Sequence, residues 1–346
     1  MSIIYKEIGT AAIISLNRPK YLNTLTFKMV QEIDYHLKAI SINKNIHLVI
    51  FKSEGDKAFC AGGDVKSFYE EKLGKEIKLR KEFFYKEYKL NFHIKKYKKP
   101  IISLVNGICM GGGVGLAMHS KVPIVSEKTL FAMPETAIGL FPDVGSGKIL
   151  SNIKDHIGIY LGLSGKRLGS GDLIELGLAK YCVNKNNFNI LENLLIHCKN
   201  ISSINKAIKQ FSVKTSSGLF PSLNKKISKI FKYKELEEIF LKLNQDKSSW
   251  AKETVEVLKE KSPTSLKISL KQLQLASNKS LKDDLIMEYR LSQACMAGND
   301  FYEGVRALLV DKDNKPKWKP NRIEDVSNEL VMSHFKSLGK NDLKFK

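Results

Sequence analysis

The first half of the chain alternates short apolar runs with stretches of helical periodicity. Apolar side chains recur every three or four residues over Thr26–Ile40, which predicts a helix, and further helices are expected near Asp64–Glu71 and over Lys75–Asn91. Four short apolar runs predict buried strands: Ala11–Leu16, Ile46–Lys52, Pro100–Val105 and Val122–Ser126. Strands that alternate with helices and lack a polar face predict an α/β domain with a largely buried sheet.

Beyond about residue 200 the strand patterns fade and helical spacing dominates. Ser262-Pro263-Thr264 fits a helix start, since proline suits the first turn of a helix. Four segments are predicted to be helical: Leu236–Leu243, Ser248–Lys259, Thr264–Ala276 and Leu281–Ala297. We expect an α/β core over residues 1–200 and a mostly helical region over 201–346. No Gly/Ser-rich or Pro-rich linker separates the two, so the helical region is expected to pack on the core.

The chain carries a net charge of +21, from 57 basic and 36 acidic residues. Such a charge raises the hypothesis of nucleic-acid binding. The basic residues are mostly lysines spread along the sequence, and no base-reading motif is present. Solvated helix faces explain the densest runs, at 75–89 and 95–99, and attraction of a phosphate-bearing substrate is the functional alternative.

The five cysteines form no C-x-x-C pair, which argues against a disulfide framework or a zinc site. The sequence has no apolar run long enough to span a membrane. The N-terminal residues enter a strand-like pattern at once, without a secretory or transit signature. These features predict a cytoplasmic protein.

The segment FAMPETAIGLFPDVG, residues 131–145, is the most informative part of the chain. Glu135 and Asp143 stand in a run otherwise almost free of charge, and each follows a proline. An ionised carboxylate among apolar side chains is costly unless it is paired or its pKa shifts. A catalytic pair and two loop-end acids that accept bonds from backbone N–H groups are both consistent with this segment taken alone.

Two glycine-rich turns each follow a predicted strand and precede a predicted helix. They are Phe59-Cys-Ala-Gly-Gly-Asp64 and Met110-Gly-Gly-Gly113. Glycine lets backbone N–H groups approach a ligand closely, and the first N–H groups of a helix are unpaired. Two such turns directed at one point would form an oxyanion hole. Neither turn fits a nucleotide-binding motif.

Several segments together resemble the crotonase, or enoyl-CoA hydratase/isomerase, superfamily. The resemblance runs from near residue 10 to about 320 and is strongest to a subfamily that hydrolyses short hydroxyacyl-CoA thioesters. It rests on these stretches: Asn17-Arg-Pro with Leu22-Asn23, 57–64, Pro100 to Gly113 with MGGGVGL at 110–116, 131–145, SPTSLK at 262–267, and DFYEGVRALLVDKD at 300–313. The resemblance implies a spiral of ββα units followed by a C-terminal, mostly helical region.

The resemblance also implies an activity, the hydrolysis of 3-hydroxyisobutyryl-CoA or a similar thioester to free acid and CoA in valine breakdown. The N–H groups of Gly63 and Gly112 would bind the thioester oxygen. Glu135 would attack the thioester or activate water. Asp143 would bind the 3-hydroxyl group, and Glu87 falls where the subfamily has an additional active-site glutamate.

The same resemblance implies the binding partners. CoA would lie along the first glycine turn, near Lys57, Ala58, Phe59 and Ala61, and would be part of the substrate rather than a cofactor. No resident cofactor or metal is expected, and neither a membrane nor a nucleic acid is an expected partner. The resemblance makes a homo-oligomer possible without deciding it. Related proteins form trimers or hexamers, but the helical region here could cover the self-association face.

One departure from the family pattern separates hydrolysis from hydration. Enoyl-CoA hydratases carry a second catalytic glutamate in the helix after the glycine triplet, and this chain has Gly115 there. It has Asp143 where hydratases typically have glycine. Addition of water across a double bond uses two carboxylates, whereas hydrolysis needs an oxyanion hole and one nucleophile or base. The alternatives are an enoyl-CoA hydratase or isomerase, and a crotonase-fold protein that binds RNA or a large assembly.

Overall fold

A computed structural model describes residues 1–74, 78–216 and 218–345. Packing divides the chain into two compact units. Unit 1 comprises residues 1–64, 89–132 and 167–221, and unit 2 comprises residues 65–88, 133–166 and 222–346. Each is described by itself below.

The strands of the described residues lie in unit 1. They are β1 (Ile3–Ile8), β2 (Ala11–Leu16), β3 (Leu48–Ser53), β4 (Ala58–Cys60), β5 (Ile101–Val105), β6 (Ile108–Met110), β7 (Val122–Val125), β8 (Leu130–Ala132) and β9 (Tyr181–Cys182). Within the described residues, one six-stranded sheet has the order β1-β2-β3-β5-β7-β9 and a three-stranded sheet has the order β4-β6-β8. Only β1 and β2 pair antiparallel in the larger sheet.

The described residues outside the strands form α-helices along most of the chain. They are α1 (Phe27–Ile42), α2 (Val65–Leu73), α3 (Lys78–Lys96), α4 (Gly112–Met118), α5 (Ser146–Ser151), α6 (Ile157–Ser164), α7 (Ser170–Glu175), α8 (Phe188–Leu195), α9 (Ile201–Lys209), α10 (Phe220–Phe231), α11 (Leu236–Gln245), α12 (Ser249–Lys259), α13 (Pro263–Ala276), α14 (Leu281–Ala297), α15 (Asp300–Val305) and α16 (Asn328–Ser333).

Unit 1 is built from a repeated pair of strands. Each pair, β3–β4, β5–β6 and β7–β8, gives its first strand to the larger sheet and its second to the smaller one. In chain order a helix follows each of the first two pairs. Helix α2, which belongs to unit 2, follows β4, and α4 follows β6. Because β4, β6 and β8 run parallel, their carboxyl ends lie at one edge of the smaller sheet. This repeat is the ββα pattern that the sequence predicted.

The core of unit 1 follows from the strand period. Alternate residues of β2, β3, β5 and β7 point to one face of the larger sheet, where they pack with side chains of α8 and α9. Central strand β5 is buried at every position, which explains why four of its five residues are apolar. On α1 the buried side chains recur at helical spacing: Met29, Val30, Ile33, Leu37 and Ile40.

Unit 2 is helical throughout its described elements. Helix α13 packs against α5 and α6, and α14 packs against α5 and α15. Ser262 caps α13 by accepting a hydrogen bond from the Ser265 N–H, and Pro263 occupies the first turn. The predicted helix start at Ser262-Pro263 is therefore confirmed. No helix in the described ranges has both the length and the apolar character to cross a bilayer.

Most predicted elements are present with boundaries shifted by no more than two residues. Strand Ala11–Leu16 and helix Leu281–Ala297 match, while the helix predicted over Lys75–Asn91 is α3 and extends to Lys96. Residues 75–77 of that prediction lie outside the described residues. The predicted domain boundary at residue 200 differs from the packing units, which interleave along the chain. The division into 1–200 and 201–346 stays a prediction.

Candidate active site

The two glycine turns follow neighbouring strands of the smaller sheet in unit 1. Because β4 and β6 are parallel neighbours, the turns after them start at the same edge. The turns also approach closely, since a Cβ added to Gly113 would lie 2.3 Å from the carbonyl oxygen of Cys60. That distance leaves no room for any side chain other than hydrogen. The two turns therefore lie side by side in unit 1, and their role as an oxyanion hole stays a prediction.

The candidate oxyanion donors are backbone N–H groups in these turns. A parallel bridge joins Leu25 to Gly63, and it uses the N–H groups of Leu25 and Asp64, both at 2.8 Å from their acceptors. The N–H of Gly63 lies outside this bridge. Gly112 is the first residue of α4, where an N–H has no acceptor within the helix. Both groups are thus in positions suited to an external anion.

The residues expected near CoA lie on and beside β4. Ala58 and Phe59 are buried, so only their backbone could face a ligand. Lys57 is exposed and Ala61 is half-buried, which leaves both accessible to a ligand. The role of these four residues in binding stays a prediction.

The candidate acids lie in unit 2, on three separate elements. Glu135 begins a short 3-10 turn, Glu135–Ile138, Asp143 lies in the loop before α5, and Glu87 lies on α3. Their residues are only 6%, 5% and 2% exposed, respectively. Glu87 therefore does not lie on a solvated helix face, which was the alternative for this charged segment.

Burial and mutual repulsion shift the acids in the same direction. Burial, reinforced by the charge of Asp143, raises the pKa of Glu135 and that of Glu87 well above the usual range for glutamate. Burial also raises the pKa of Asp143 to about 7, against the lowering effect of a hydrogen bond from Tyr88. Buried acids whose pKa values are raised in this way are suited to exchange protons with a substrate.

The acids differ in how well their oxygens are bonded. The Tyr88 hydroxyl donates to Asp143 Oδ2 at 2.9 Å. Glu135 Oε2 and Glu87 Oε1 are buried without a hydrogen-bond partner among the described residues. A buried carboxyl oxygen that lacks a donor costs free energy, and a substrate group or water can supply the bond. The interpretation of Glu135 as a fully satisfied loop-end acid is therefore not supported.

The C-terminal motifs of the resemblance hold the Glu135 turn in place. The Ser262 N–H donates to the Thr136 carbonyl at 3.2 Å, and the Ser262 hydroxyl donates to Asp300 Oδ2 at 2.6 Å. A Cβ on Gly304 would lie 2.5 Å from Ile138 Cα, so α15 lies directly against the turn. The SPTSLK and DFYEG segments thus act on the site through packing and hydrogen bonds.

Sequence reasoning missed four polar residues near Asp143. One is Tyr88, which follows Glu87 on α3. The others lie on α13 and α14: Gln272, Asp284 and Glu288. Asp284 and Glu288 are four residues apart and in phase with Leu285, Leu291 and Cys295 on the buried face of α14, which is the signal that could have identified them.

The described ranges contain no group of three or more histidine, cysteine, aspartate or glutamate side chains arranged to hold a metal ion. Gly115, at the position of the second hydratase glutamate, is buried within α4. Unit 1 therefore holds the candidate backbone donors, with no acid in α4, and unit 2 holds the candidate acids.

Comparison with known proteins identifies the family to which this chain belongs. The family model described as enoyl-CoA hydratase/isomerase matches residues 11–335. The chain belongs to this family. The curated relatives include proteins named 3-hydroxyisobutyryl-CoA hydrolase, mitochondrial: that of Gallus gallus is 45% identical over 99% of this chain and 90% of its own length, and that of Homo sapiens is 44% identical with the same coverage.

Solved structures of the enoyl-CoA hydratase/isomerase family have the same fold. A Rhodobacter sphaeroides protein named enoyl-CoA hydratase superposes with a TM-score of 0.93 at 35% identity, covering 100% of both chains. A Mycobacterium thermoresistibile protein named carnitinyl-CoA dehydratase gives a TM-score of 0.94 at 30% identity, covering 100% of this chain and 99% of its own. The predicted fold, an α/β crotonase-like spiral with a helical C-terminal region, is confirmed.

Proposed function

We propose that this protein is a 3-hydroxyisobutyryl-CoA hydrolase, which cleaves the thioester to 3-hydroxyisobutyrate and CoA. One structural observation carries the proposal: Glu87, Glu135 and Asp143 are buried acids in unit 2, and Glu87 and Glu135 each have a carboxyl oxygen without a hydrogen-bond partner among the described residues. The names of curated relatives about 45% identical over 99% of the chain support the same activity. The family supplies the CoA thioester as the substrate class.

In the proposed reaction the N–H groups of Gly63 and Gly112 bind the thioester oxygen. They stabilise the negative charge that develops when the carbonyl carbon becomes tetrahedral, an effect for which loss of one donor typically costs about 3–4 kcal/mol. Both donors belong to the backbone. Side-chain replacement therefore does not remove them selectively.

Glu135 provides the second part of the reaction by one of two routes. In the first, its carboxylate attacks the carbonyl carbon, the C–S bond breaks, CoA leaves as the thiolate, and water then hydrolyses the mixed anhydride. In the second, Glu135 takes a proton from water, and the resulting hydroxide attacks the same carbon. The unpartnered Oε2 of Glu135 is available for either route.

Asp143 and Glu87 are proposed to bind the acyl group. Asp143 accepts a hydrogen bond from the substrate's 3-hydroxyl group when it is ionised, and its pKa of about 7 leaves it partly ionised at neutral pH. Burial raises the pKa of Glu87 well above the usual range for glutamate, and its unpartnered Oε1 is proposed to contact the acyl group. Lys57 and Ala61 are proposed to contact CoA.

Release of free thiol from 3-hydroxyisobutyryl-CoA by the purified protein tests the function. Glu135→Gln should lower kcat at least about a hundredfold, because the amide is neither a nucleophile nor a base. Glu238→Gln, the same change at an exposed position of α11, is the matched control and should leave kcat unchanged. Absence of release by the wild-type protein, or full activity of Glu135→Gln, contradicts the proposal.

A single turnover in ¹⁸O-labelled water tests for attack by Glu135. When water opens the mixed anhydride at the glutamyl carbonyl, the released acid keeps an unlabelled oxygen from Glu135 and the label enters the glutamate. General-base catalysis puts the label only into the released acid, as does opening of the anhydride at the acyl carbonyl. Labelled Glu135, found by mass analysis of its peptide, therefore identifies the covalent route.

Hydration of an enoyl-CoA is the second candidate function, because the two solved structures above carry hydratase and dehydratase names at 30–35% identity. Loss of crotonyl-CoA absorbance without thiol release would favour it. Gly115 argues against it, since that helix of this chain offers no second carboxylate. Tight, salt-sensitive RNA binding without turnover would instead favour the RNA-binding alternative.

We further propose that the enzyme uses no resident cofactor and that CoA enters and leaves as part of the substrate. Homo-oligomerisation and a cytoplasmic location remain predictions from the sequence. The curated relatives cited above are named as mitochondrial proteins. Fractionation of source cells, followed by immunodetection of the protein, tests the location.

A further inference from the structure

The loop that carries Asp143 has an unusual backbone. Val144 and Gly145, the two residues after Asp143, have φ angles of 55° and 81°. A β-branched residue rarely adopts this left-handed conformation, which costs on the order of 1–3 kcal/mol. Such a turn persists only where its surroundings impose it. The direction in which Asp143 leaves this turn therefore depends on the groups that hold the backbone.

Glu288 is the main group that holds this loop. Its Oε2 accepts the Gly145 N–H at 2.7 Å, and its Oε1 accepts the Gly147 N–H at 3.1 Å. The two bonds lie on either side of the junction between the loop and α5. One carboxyl group thus fixes both ends of the short backbone segment that follows Asp143 and Val144.

Asp284 and Gln272 complete the support. Asp284 Oδ2 accepts the Lys148 N–H at 2.7 Å. Gln272 donates through Nε2 to the Pro142 carbonyl at 2.7 Å and to Glu288 Oε1 at 3.2 Å. Backbone groups before and after Asp143 are therefore held by three side chains of α13 and α14.

The arrangement is tightly packed. Gln272, Asp284 and Glu288 are each fully buried. A Cβ added to Gly147 would lie 2.6 Å from Asp284 Oδ1 and 2.9 Å from Gln272 Nε2. Two buried acids four residues apart on one helix are costly for folding, and their pKa values are raised mainly by burial. Apolar residues could not accept the N–H bonds of Gly145, Gly147 and Lys148, so the acids serve to hold the backbone of the loop.

We propose that Glu288 is a positioning residue for Asp143, supported by Asp284 and Gln272, and that it thereby sets selectivity for a 3-hydroxylated acyl group. This inference rests on the proposed function, in which Asp143 contacts the substrate's 3-hydroxyl group. Glu288 does not touch the substrate. It acts through the backbone of residues 142–147.

Glu288→Gln tests the proposal with a minimal change of shape. An amide nitrogen cannot accept an N–H bond, so either the Gly145 or the Gly147 bond is lost whichever way the amide is oriented. The informative quantity is the ratio of kcat/KM for 3-hydroxyisobutyryl-CoA to that for isobutyryl-CoA. We expect this ratio to fall about tenfold or more, towards that of Asp143→Asn, because the hydroxyl loses an aligned acceptor. Glu238→Gln should leave it unchanged.

A double variant separates positioning from general damage. If Glu288 acts through Asp143, Glu288→Gln should lower the ratio little further in an Asp143→Asn background. Equal loss of kcat/KM for both thioesters, or a double-variant loss equal to the product of the single losses, overturns the proposal. Gln272→Met removes the donor to Pro142 and should lower the ratio in the same direction, which keeps the test available if Glu288→Gln folds poorly.

Amide hydrogen exchange distinguishes failure of this inference from failure of the proposed function. If the wild-type protein releases no thiol, the proposed hydrolase function is contradicted. The rate of amide hydrogen exchange then still tests whether Glu288 holds the loop of Asp143. Glu288→Gln should then speed exchange at Gly145 or Gly147, whichever loses its acceptor, while Glu238→Gln leaves it unchanged. Unchanged exchange at both glycines overturns the positioning claim.

Discussion

Asp143 combines a buried position with a charge that the reaction needs. Its single side-chain donor in the described structure is the Tyr88 hydroxyl, and its neighbours include the carboxyl groups of Glu87, Glu135 and Glu288. Such a residue is poorly stabilised as an anion before substrate arrives. Binding of a 3-hydroxyl group would add a second donor and favour the ionised form.

This residue should make the folded protein less stable as pH rises. An aspartate in an unfolded chain has a pKa near 3.9, whereas burial raises the pKa of Asp143 to about 7. Between those values the folded state binds more protons, so the free energy of unfolding contributed by Asp143 is greatest below about pH 4 and is lost as pH approaches about 7.

Asp143→Asn should therefore stabilise the protein at pH 8 by about 2 kcal/mol, since the amide cannot ionise. The gain should disappear by about pH 4. Urea denaturation at both pH values measures it, with Asp283→Asn, an exposed change on α14, as control. A gain that is the same at both values would show that ionisation of Asp143 is not its cause.

At the scale of elements, α14 connects the parts of unit 2 that carry acids. It holds the loop of Asp143 through Glu288, and it holds α3 through a reciprocal pair of bonds between Arg80 and Gln293, each 3.0 Å long. Helix α3 carries Glu87 and Tyr88. A displacement of α14 would therefore disturb Glu87 and Asp143 together.

Helix α15 has a matching role for the turn of Glu135, and Gly304 tests it. Gly304→Ala places a Cβ 2.5 Å from Ile138 Cα, a backbone atom that can move only if the turn moves. We expect a loss of about 2–3 kcal/mol in unfolding free energy and a fall in kcat. Gly298→Ala, whose Cβ would have 3.4 Å of space, is the control and should be close to neutral. Equal effects of the two changes would contradict this account.

The sequence predicted elements whose signals are local. Thr26 and Ser262 each accept an N–H bond at a helix start, and β5 is mostly apolar because both of its faces are buried. The sequence did not predict that Glu288 bonds to Gly145 or that Tyr88 bonds to Asp143. Glu288 and Gly145 are 143 positions apart in the sequence, and Tyr88 and Asp143 are 55 positions apart. The periodicity of a single segment cannot indicate a contact over such a separation.

At the scale of the whole molecule, the charge of +21 should affect the encounter with CoA thioesters, which carry phosphates. Kcat/KM for 3-hydroxyisobutyryl-CoA should fall several-fold between about 20 and 200 mM salt, because screening shortens the reach of the field. Kcat should change little. A pantetheine thioester without phosphates is the control, and an equal salt effect on it would show that attraction of the phosphates is not the cause.

The contact between Gly113 and the Cys60 carbonyl has a consequence for how this family can diversify. A random mutational library would lose almost every variant at Gly113, since any side chain there collides with a backbone oxygen. Acids such as Asp143 and Glu87 can be exchanged without that collision. New acyl-CoA chemistries should therefore arise from changes at such acids, while the glycine turn itself does not vary.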